Sequence, residues 1–145
     1  MKSCFRIVLI FAAILLIAAL WFYFAIYKKP HVDYLKEEAE MEIRGEDLFN
    51  EYVADPLAAA KKYNGKVLIV TGTVDILEEA EDMNTAVMIF EEGFFGYEGV
   101  RITLLEGQEQ KVTLGEDMRL KGYCTGFTEA DVIVEHGSVV DAGSD

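Results

Sequence analysis

Cysteine, histidine, proline and tryptophan are scarce in this 145-residue sequence, which holds two, two, two and one of them. Two cysteines, Cys4 and Cys124, cannot build a disulfide framework. Cys4 precedes the long apolar run, the wrong side for the lipid-bearing cysteine of a lipoprotein. Cys124 stands alone in the remainder and reads as a buried small hydrophobe. The histidines, His31 and His136, offer little material for acid–base or metal chemistry. No serine sits in a nucleophile elbow, and no glycine-rich phosphate loop occurs. No catalytic residue, metal ligand or cofactor is therefore expected, and the chain reads as non-enzymatic.

Positive charge is also in short supply. All 26 acidic residues lie after position 30, where only nine of the 13 basic residues lie, leaving −17 on that part. Such a surface repels a phosphate backbone, because nucleic-acid affinity comes largely from lysine and arginine neutralising phosphates. Anionic membrane surfaces are disfavoured for the same reason.

Charge of either sign is missing from residues 7–27, "IVLIFAAILLIAALWFYFAIY". Twenty-one such residues are enough to cross a bilayer as a helix. The run ends in bulky aromatics (Trp21, Phe22, Tyr23, Tyr27) rather than a small-residue cleavage site, which predicts an uncleaved anchor with an interfacial belt. The amino terminus, Lys2 and Arg6 precede it; Lys28 and Lys29 follow. The excess on the first side predicts the amino terminus in the cytoplasm and the rest outside it.

Four segments are expected: a membrane anchor over 1–29, a charged stem over 30–45, a folded domain over 46–141 and a tail over 142–145. Pro30 ends or kinks the anchor helix. The stem, with a thin stripe of Leu35, Ala39 and Ile43 among acids, reads as a solvated spacer. Residues 46–65 then predict two helices. Leu48, Phe49 and Tyr52 form one apolar face, continued by Leu57, Ala60 and Tyr63. Asp55-Pro56 supplies an N-cap and a first-turn proline, and Asn64-Gly65 a left-handed stop.

After residue 65 the apolar period changes to two. A strand over 66–77 places Leu68, Val70, Val74 and Ile76 on one face, with Gly72 marking a bend. Strands follow over 85–90, 99–105, 117–126 and 131–140. Their inward residues are expected to include Val100, Ile102, Leu104, Met118, Leu120, Cys124, Val132 and Val134. Arg101, Thr103, Arg119, Lys121, Tyr123, Asp131 and Glu135 face outward. Helices followed by five short strands predict a mainly β chain: a small closed barrel of the OB type, preceded by helices and a transmembrane helix.

Two elements carry a resemblance: "YNGKVLIVTGTV" (63–74) and "KGYCTG" (121–126). Over roughly 48–140 the chain resembles the tRNA_anti-like OB-fold family, bacterial proteins often carrying a membrane anchor or lipoprotein signal. The resemblance implies the strand order 1-2-3-5-4-1, which sets the fifth strand between the third and fourth. Arg101 and Lys121 would then face Asp131 and Glu135 as opposite-charge pairs. Many relatives carry further cysteines where this chain has Arg101-Ile102 and His136-Gly137, so a role needing several cysteines is not implied. The layout also resembles membrane-anchored OB-fold haem chaperones, whose haem-attaching histidine is followed four residues on by tyrosine. Here Val140 follows His136, so that carry-over fails. The family name records likeness to anticodon-binding domains, not RNA binding.

One stretch remains, "EEGFFGYEG" over 91–99. It is expected to connect the second and third strands. Its rings Phe94, Phe95 and Tyr97 either fold back to complete a small core or stay exposed as an aromatic anchor for a partner. The acidic run 78–82 reads as a hairpin connection, since it lacks the spacing and glycine of a calcium loop. The expectation is a membrane-anchored binding or assembly module outside the cytoplasm, engaging a protein or an uncharged ligand. The alternatives are a single-stranded nucleic-acid binder, with Arg101, Lys121 and Tyr123 on the outer face, and a small-ligand or metal chaperone.

Overall fold

The single strand expected over 66–77 is two strands with different partners. In the computed structural model, β2 (Val67–Thr73) and β3 (Ile76–Ala80) are separated by a break at Val74–Asp75. At that break the chain changes neighbours. Val74 exchanges hydrogen bonds with 115–116, whereas the Asp75 N–H donates to the Val87 carbonyl at 2.9 Å. The Asp75 carboxylate also accepts from the Ile89 N–H at 2.8 Å, which fixes the corner.

The structure describes residues 2–27, 33–94 and 96–141, without the side chains of 2–5, 7–9 and 25–27. Lys28, Lys29, Pro30, His31, Phe95 and the tail 142–145 lie outside the described residues. Two compact units are distinguished, and the second begins at Asp33.

The first unit contains α1 (Lys2–Tyr27), a 26-residue helix. Among the described residues no helix is long and apolar enough to cross a membrane.

The second unit opens with β1 (Met41–Arg44), then α2 (Gly45–Ala54) and α3 (Pro56–Tyr63). The spacer reading of the stem is corrected here. β1 pairs in parallel with β2, from Met41 opposite Leu68 to Arg44 opposite Thr71. The helices start and stop as their sequence predicts. The Asp55 carboxylate accepts from the Ala58 N–H at 3.0 Å, Pro56 takes the first turn, and Gly65 adopts φ +79°. The phase of α3 differs from expectation: Leu57 is exposed, and Ala59 is buried with Tyr63.

The remaining strands are β4 (Met83–Gly93), β5 (Gly96–Leu104), β6 (Asp117–Phe127) and β7 (Asp131–Val139). The sheet order is β1-β2-β6-β7-β5-β4-β3. Its middle, β4-β5-β7-β6-β2, reproduces the neighbour order that the resemblance implies. The closed five-stranded barrel is not what forms. No ladder joins β2 to β4, because the chain leaves β2 at Val74 and starts β3 as a new edge. The result is a seven-stranded sheet, curled so that Met88 of β4 approaches Gly72 of β2. A Cβ at Gly72 would lie 3.1 Å from the Met88 sulfur.

Inside the curl lies one core. Leu48, Phe49, Tyr52, Ala59 and Tyr63 from the helices meet Leu68, Val70, Val74, Met88, Val100, Ile102, Leu120, Cys124, Val132 and Val134 from the strands. All the inward residues named above for β5 and β7 are buried, as are Leu120 and Cys124 of β6, while Met118 is partly buried. Full burial of side chains such as Leu48 or Phe49 contributes about 1.5–3 kcal/mol each.

Candidate interaction site

The stretch 91–99 is not a loop. β4 and β5 continue through it as a ribbon, with Glu91 opposite Glu98, Glu92 opposite Tyr97 and Gly93 opposite Gly96. Phe94 lies in the turn that follows β4. Glycine is required at Gly96, where φ is +130°, a conformation that other residues rarely adopt. It is also required at Gly99, where a Cβ would lie 1.9 Å from the Met88 carbonyl oxygen.

This geometry sends the turn away from the core. Phe94 is 95% exposed and Tyr97 55% exposed. The account in which these two rings complete the core is therefore overturned. The core is closed instead by Phe90 packing on Phe49, with ring centroids 5.9 Å apart, and by Tyr52 stacking on Phe127 at 5.5 Å. The ribbon tip combines exposed aromatic surface with Glu91, Glu92 and Glu98 along its sides.

The outer-face cations are committed elsewhere. Arg101 donates through Nε to Asp131 and through Nη1 to Glu78, both at 2.8 Å. Desolvation opposes its charge, but these two carboxylates outweigh it and hold the guanidinium protonated. The pairing expected between Arg101 and Asp131 is thus present, with Glu78 added from β3. Arg119 makes a two-pronged contact with Glu42 of β1 at 3.0 and 2.9 Å. Its hydrogen bonds hold the Glu42 carboxyl below the usual carboxylate range.

Lys121 does not meet Glu135. It stands opposite Ser138 and donates to the carbonyls of Leu35 and Glu37 at 2.8 and 2.9 Å. Tyr123, which stands opposite Glu135, lies against Tyr34 at 5.7 Å, and Tyr34 stacks on His136 at 4.1 Å. The three outer-face candidates Arg101, Lys121 and Tyr123 are therefore spent on internal contacts. Sequence reasoning misses Tyr34 as the partner of Tyr123 and Glu42 as that of Arg119. The available signal was an isolated tyrosine in an otherwise charged stem.

Cys124 behaves as a structural residue. It is fully buried, with its sulfur 3.4 Å from the Tyr52 hydroxyl. That hydroxyl donates to Asn64 Oδ1 at 2.5 Å. Burial pushes the Cys124 thiol up, against the opposing contact from Tyr52, and pushes the Tyr52 hydroxyl far above its ordinary value. Among the described residues no three His, Cys, Asp or Glu side chains converge as a metal site. The acidic run 78–82 spans the end of β3 and the turn into β4, as a hairpin connection does.

A curled sheet in the order β4-β5-β7-β6-β2, capped by two helices, defines a domain of OB type. The family model described as tRNA_anti-like matches residues 1–138, and the chain belongs to that family. No curated protein matches it.

Proposed function

We propose that this chain is a single-pass, membrane-anchored OB-fold module that binds or assembles partners outside the cytoplasm without catalysing a reaction. The observation that carries the proposal is the ribbon tip. Phe94 is 95% exposed on an otherwise acidic domain, at the end of a paired two-strand ribbon rather than on an unpaired loop. Exposed aromatics on a rigid support are the usual anchors of protein interfaces, because they desolvate a large area at little entropic cost. The flanking glutamates direct the tip towards a protein or an uncharged ligand rather than a polyanion.

The anchor rests on the uncharged run 7–27, which lies within α1, and on the exposure of large side chains such as Ile14, Leu16 and Trp21. The orientation rests on the charge excess before that run. Nucleic-acid binding is disfavoured by the internal pairing of Arg101, Arg119 and Lys121.

The test has two parts. A C-terminal reporter active only outside the cytoplasm is expected to be active; an inactive reporter on a membrane-bound chain would reverse the orientation. A photo-crosslinking residue at position 94 or 97 is expected to give one discrete adduct in cells. The same residue at Leu114, also exposed, is expected to give none. Equal labelling at all three positions would remove the ribbon tip as the binding site.

A further inference from the structure

A second surface has the form of a binding groove. It is a cleft of about 550 Å³ between β1 and the helices, lined by Met41 and Ile43 on the strand side. On the helix side it meets Asp47, Asn50, Glu51 and Ala54. Those four fall at i, i+3, i+4 and i+7 of α2, a single helical face, turned away from the buried Leu48, Phe49 and Tyr52.

Two features distinguish this cleft from an ordinary surface depression. First, β1 is the edge of the sheet. An edge strand presents alternate N–H and C=O groups with no ladder partner. Second, Tyr63 lines the cleft. Its side chain is wholly buried, yet its hydroxyl has no hydrogen-bond partner. Buried polar groups are nearly always satisfied, because an unmet one costs on the order of 1–3 kcal/mol. Burial pushes this hydroxyl up, so it stays protonated and able to donate. Lys62 and Glu51 lie beside the hydroxyl and act on its proton, but neither makes a hydrogen bond of normal geometry to it. They pair with each other, at 2.8 and 2.9 Å through both carboxylate oxygens.

We infer that the β1–α2 cleft receives an extended, basic peptide segment of a partner protein, which adds to β1 as a further strand and accepts a hydrogen bond from Tyr63. Strand addition supplies main-chain hydrogen bonds that need no particular sequence. Selectivity for basic residues comes from Asp47 on the facing helix and from the −17 balance of residues 31–145. A helix facing the edge strand gives the incoming segment a wall on its second side, which a bare sheet edge lacks.

The test uses the full chain in neutral detergent micelles and a fluorescent peptide, Val-Lys-Val-Thr-Val-Lys-Val. A control peptide replaces alternate valines with proline, keeping the charge and removing the ladder donors. The first peptide is expected to raise anisotropy saturably, and the control is not. Ala54→Arg, at an exposed helix position, is expected to weaken binding at least tenfold. Tyr63→Phe is expected to weaken it several-fold while leaving the melting temperature unchanged or higher, because the lost hydroxyl makes no hydrogen bond of normal geometry within the protein. A destabilised Tyr63→Phe would make that hydroxyl structural and overturn its role. Phe94→Ala is expected to leave peptide binding intact, which separates this cleft from the ribbon tip.

Three results would overturn the inference: no anisotropy change up to millimolar peptide, equal binding of the proline control, or binding that survives Ala54→Arg. A concentration-dependent dimer in light scattering, abolished by Ala54→Arg, would instead assign the cleft to a second copy of the chain.

Discussion

The ring of Tyr34 lies parallel to that of His136, with centroids 4.1 Å apart and planes 5° apart. Together with the two carbonyls held by Lys121, this stack fastens residues 34–37 to β6 and β7. The double variant Tyr34→Ala, Lys121→Ala is expected to lose about 1–2 kcal/mol of stability, the scale of one aromatic contact and exposed charged hydrogen bonds. Limited proteolysis is expected to cut between 33 and 40 much faster than in the parent. Unchanged cleavage would mean that β1 alone holds the segment.

Removal of the ribbon-tip rings is expected to leave folding unaffected. Phe94→Ala, Tyr97→Ala is predicted to change stability by less than about 0.5 kcal/mol, as surface substitutions usually do. Thermal unfolding measures this directly. A drop of many degrees would show that the rings are buried in solution.

Gly99→Ala is the opposite case. The added methyl would meet the Met88 backbone carbonyl rather than a side chain that could move aside. The expected loss exceeds about 2 kcal/mol, in the range of overpacking in a well-packed core. Chemical denaturation of the two proteins provides the comparison.

Arg101→Ala breaks contacts to Glu78 and Asp131 together. The Arg101 side chain is only 30% exposed and that of Asp131 14%, so the pair is less screened than a surface one. A loss of about 1–2 kcal/mol is expected, above the median of exposed pairs. The variant is also expected to leave retention on single-stranded oligonucleotides unchanged. A fall in retention would return the outer face to consideration as a nucleic-acid surface.

Stability is expected to decline as pH rises past about 9. Burial raises the folded thiol of Cys124 and the hydroxyls of Tyr52 and Tyr63 above their ordinary values of 9.0, 10.0 and 10.0. The unfolded chain therefore releases these protons first, and stability falls with pH wherever the folded state holds more protons. The contribution is fully present below the unfolded values and is lost as pH climbs towards the folded ones. Urea midpoints at pH 7, 9 and 10 test this. Cys124 is likewise expected to resist thiol reagents at pH 8 until denaturant is added, read on its own peptide by mass spectrometry.

The elements most legible in the sequence were those whose signal is local. Asp55-Pro56 and Asn64-Gly65 mark helix ends through their own backbone chemistry. Val100, Ile102 and Leu104 show period two because one face of β5 is buried. β1 is different. Its four residues become a strand only once Val67–Thr73 lies beside them, and no local pattern contains that neighbour. β3 carries Glu78 and Glu79 on an exposed edge, so it lacks an apolar face to announce it. Gly93 and Gly96 read as loop residues although they frame a tight turn between long strands. Lys121 was assigned a carboxylate because side chains carry the readable charge; its real acceptors, two main-chain carbonyls, leave no mark on the sequence. Asp47, Asn50, Glu51 and Ala54 did show helical spacing, but the cleft they face depends on β1.

The corner at Val74–Asp75 also bears on the order of assembly. β3, β4 and β5 are joined by short hairpins and need only local encounters to form. β2 must instead find β6, from Val67 opposite Tyr123 to Thr73 opposite Asp117, and β5 must pair in parallel with β7. Loop-closure entropy opposes these long-range unions until their contacts compensate it, and such topologies fold in roughly milliseconds to seconds. Pulsed hydrogen exchange is expected to protect Ile89 and Ile102 before Ile69 and Lys121. The break in the first long strand would then act as a seam between an early half of the molecule and a late one.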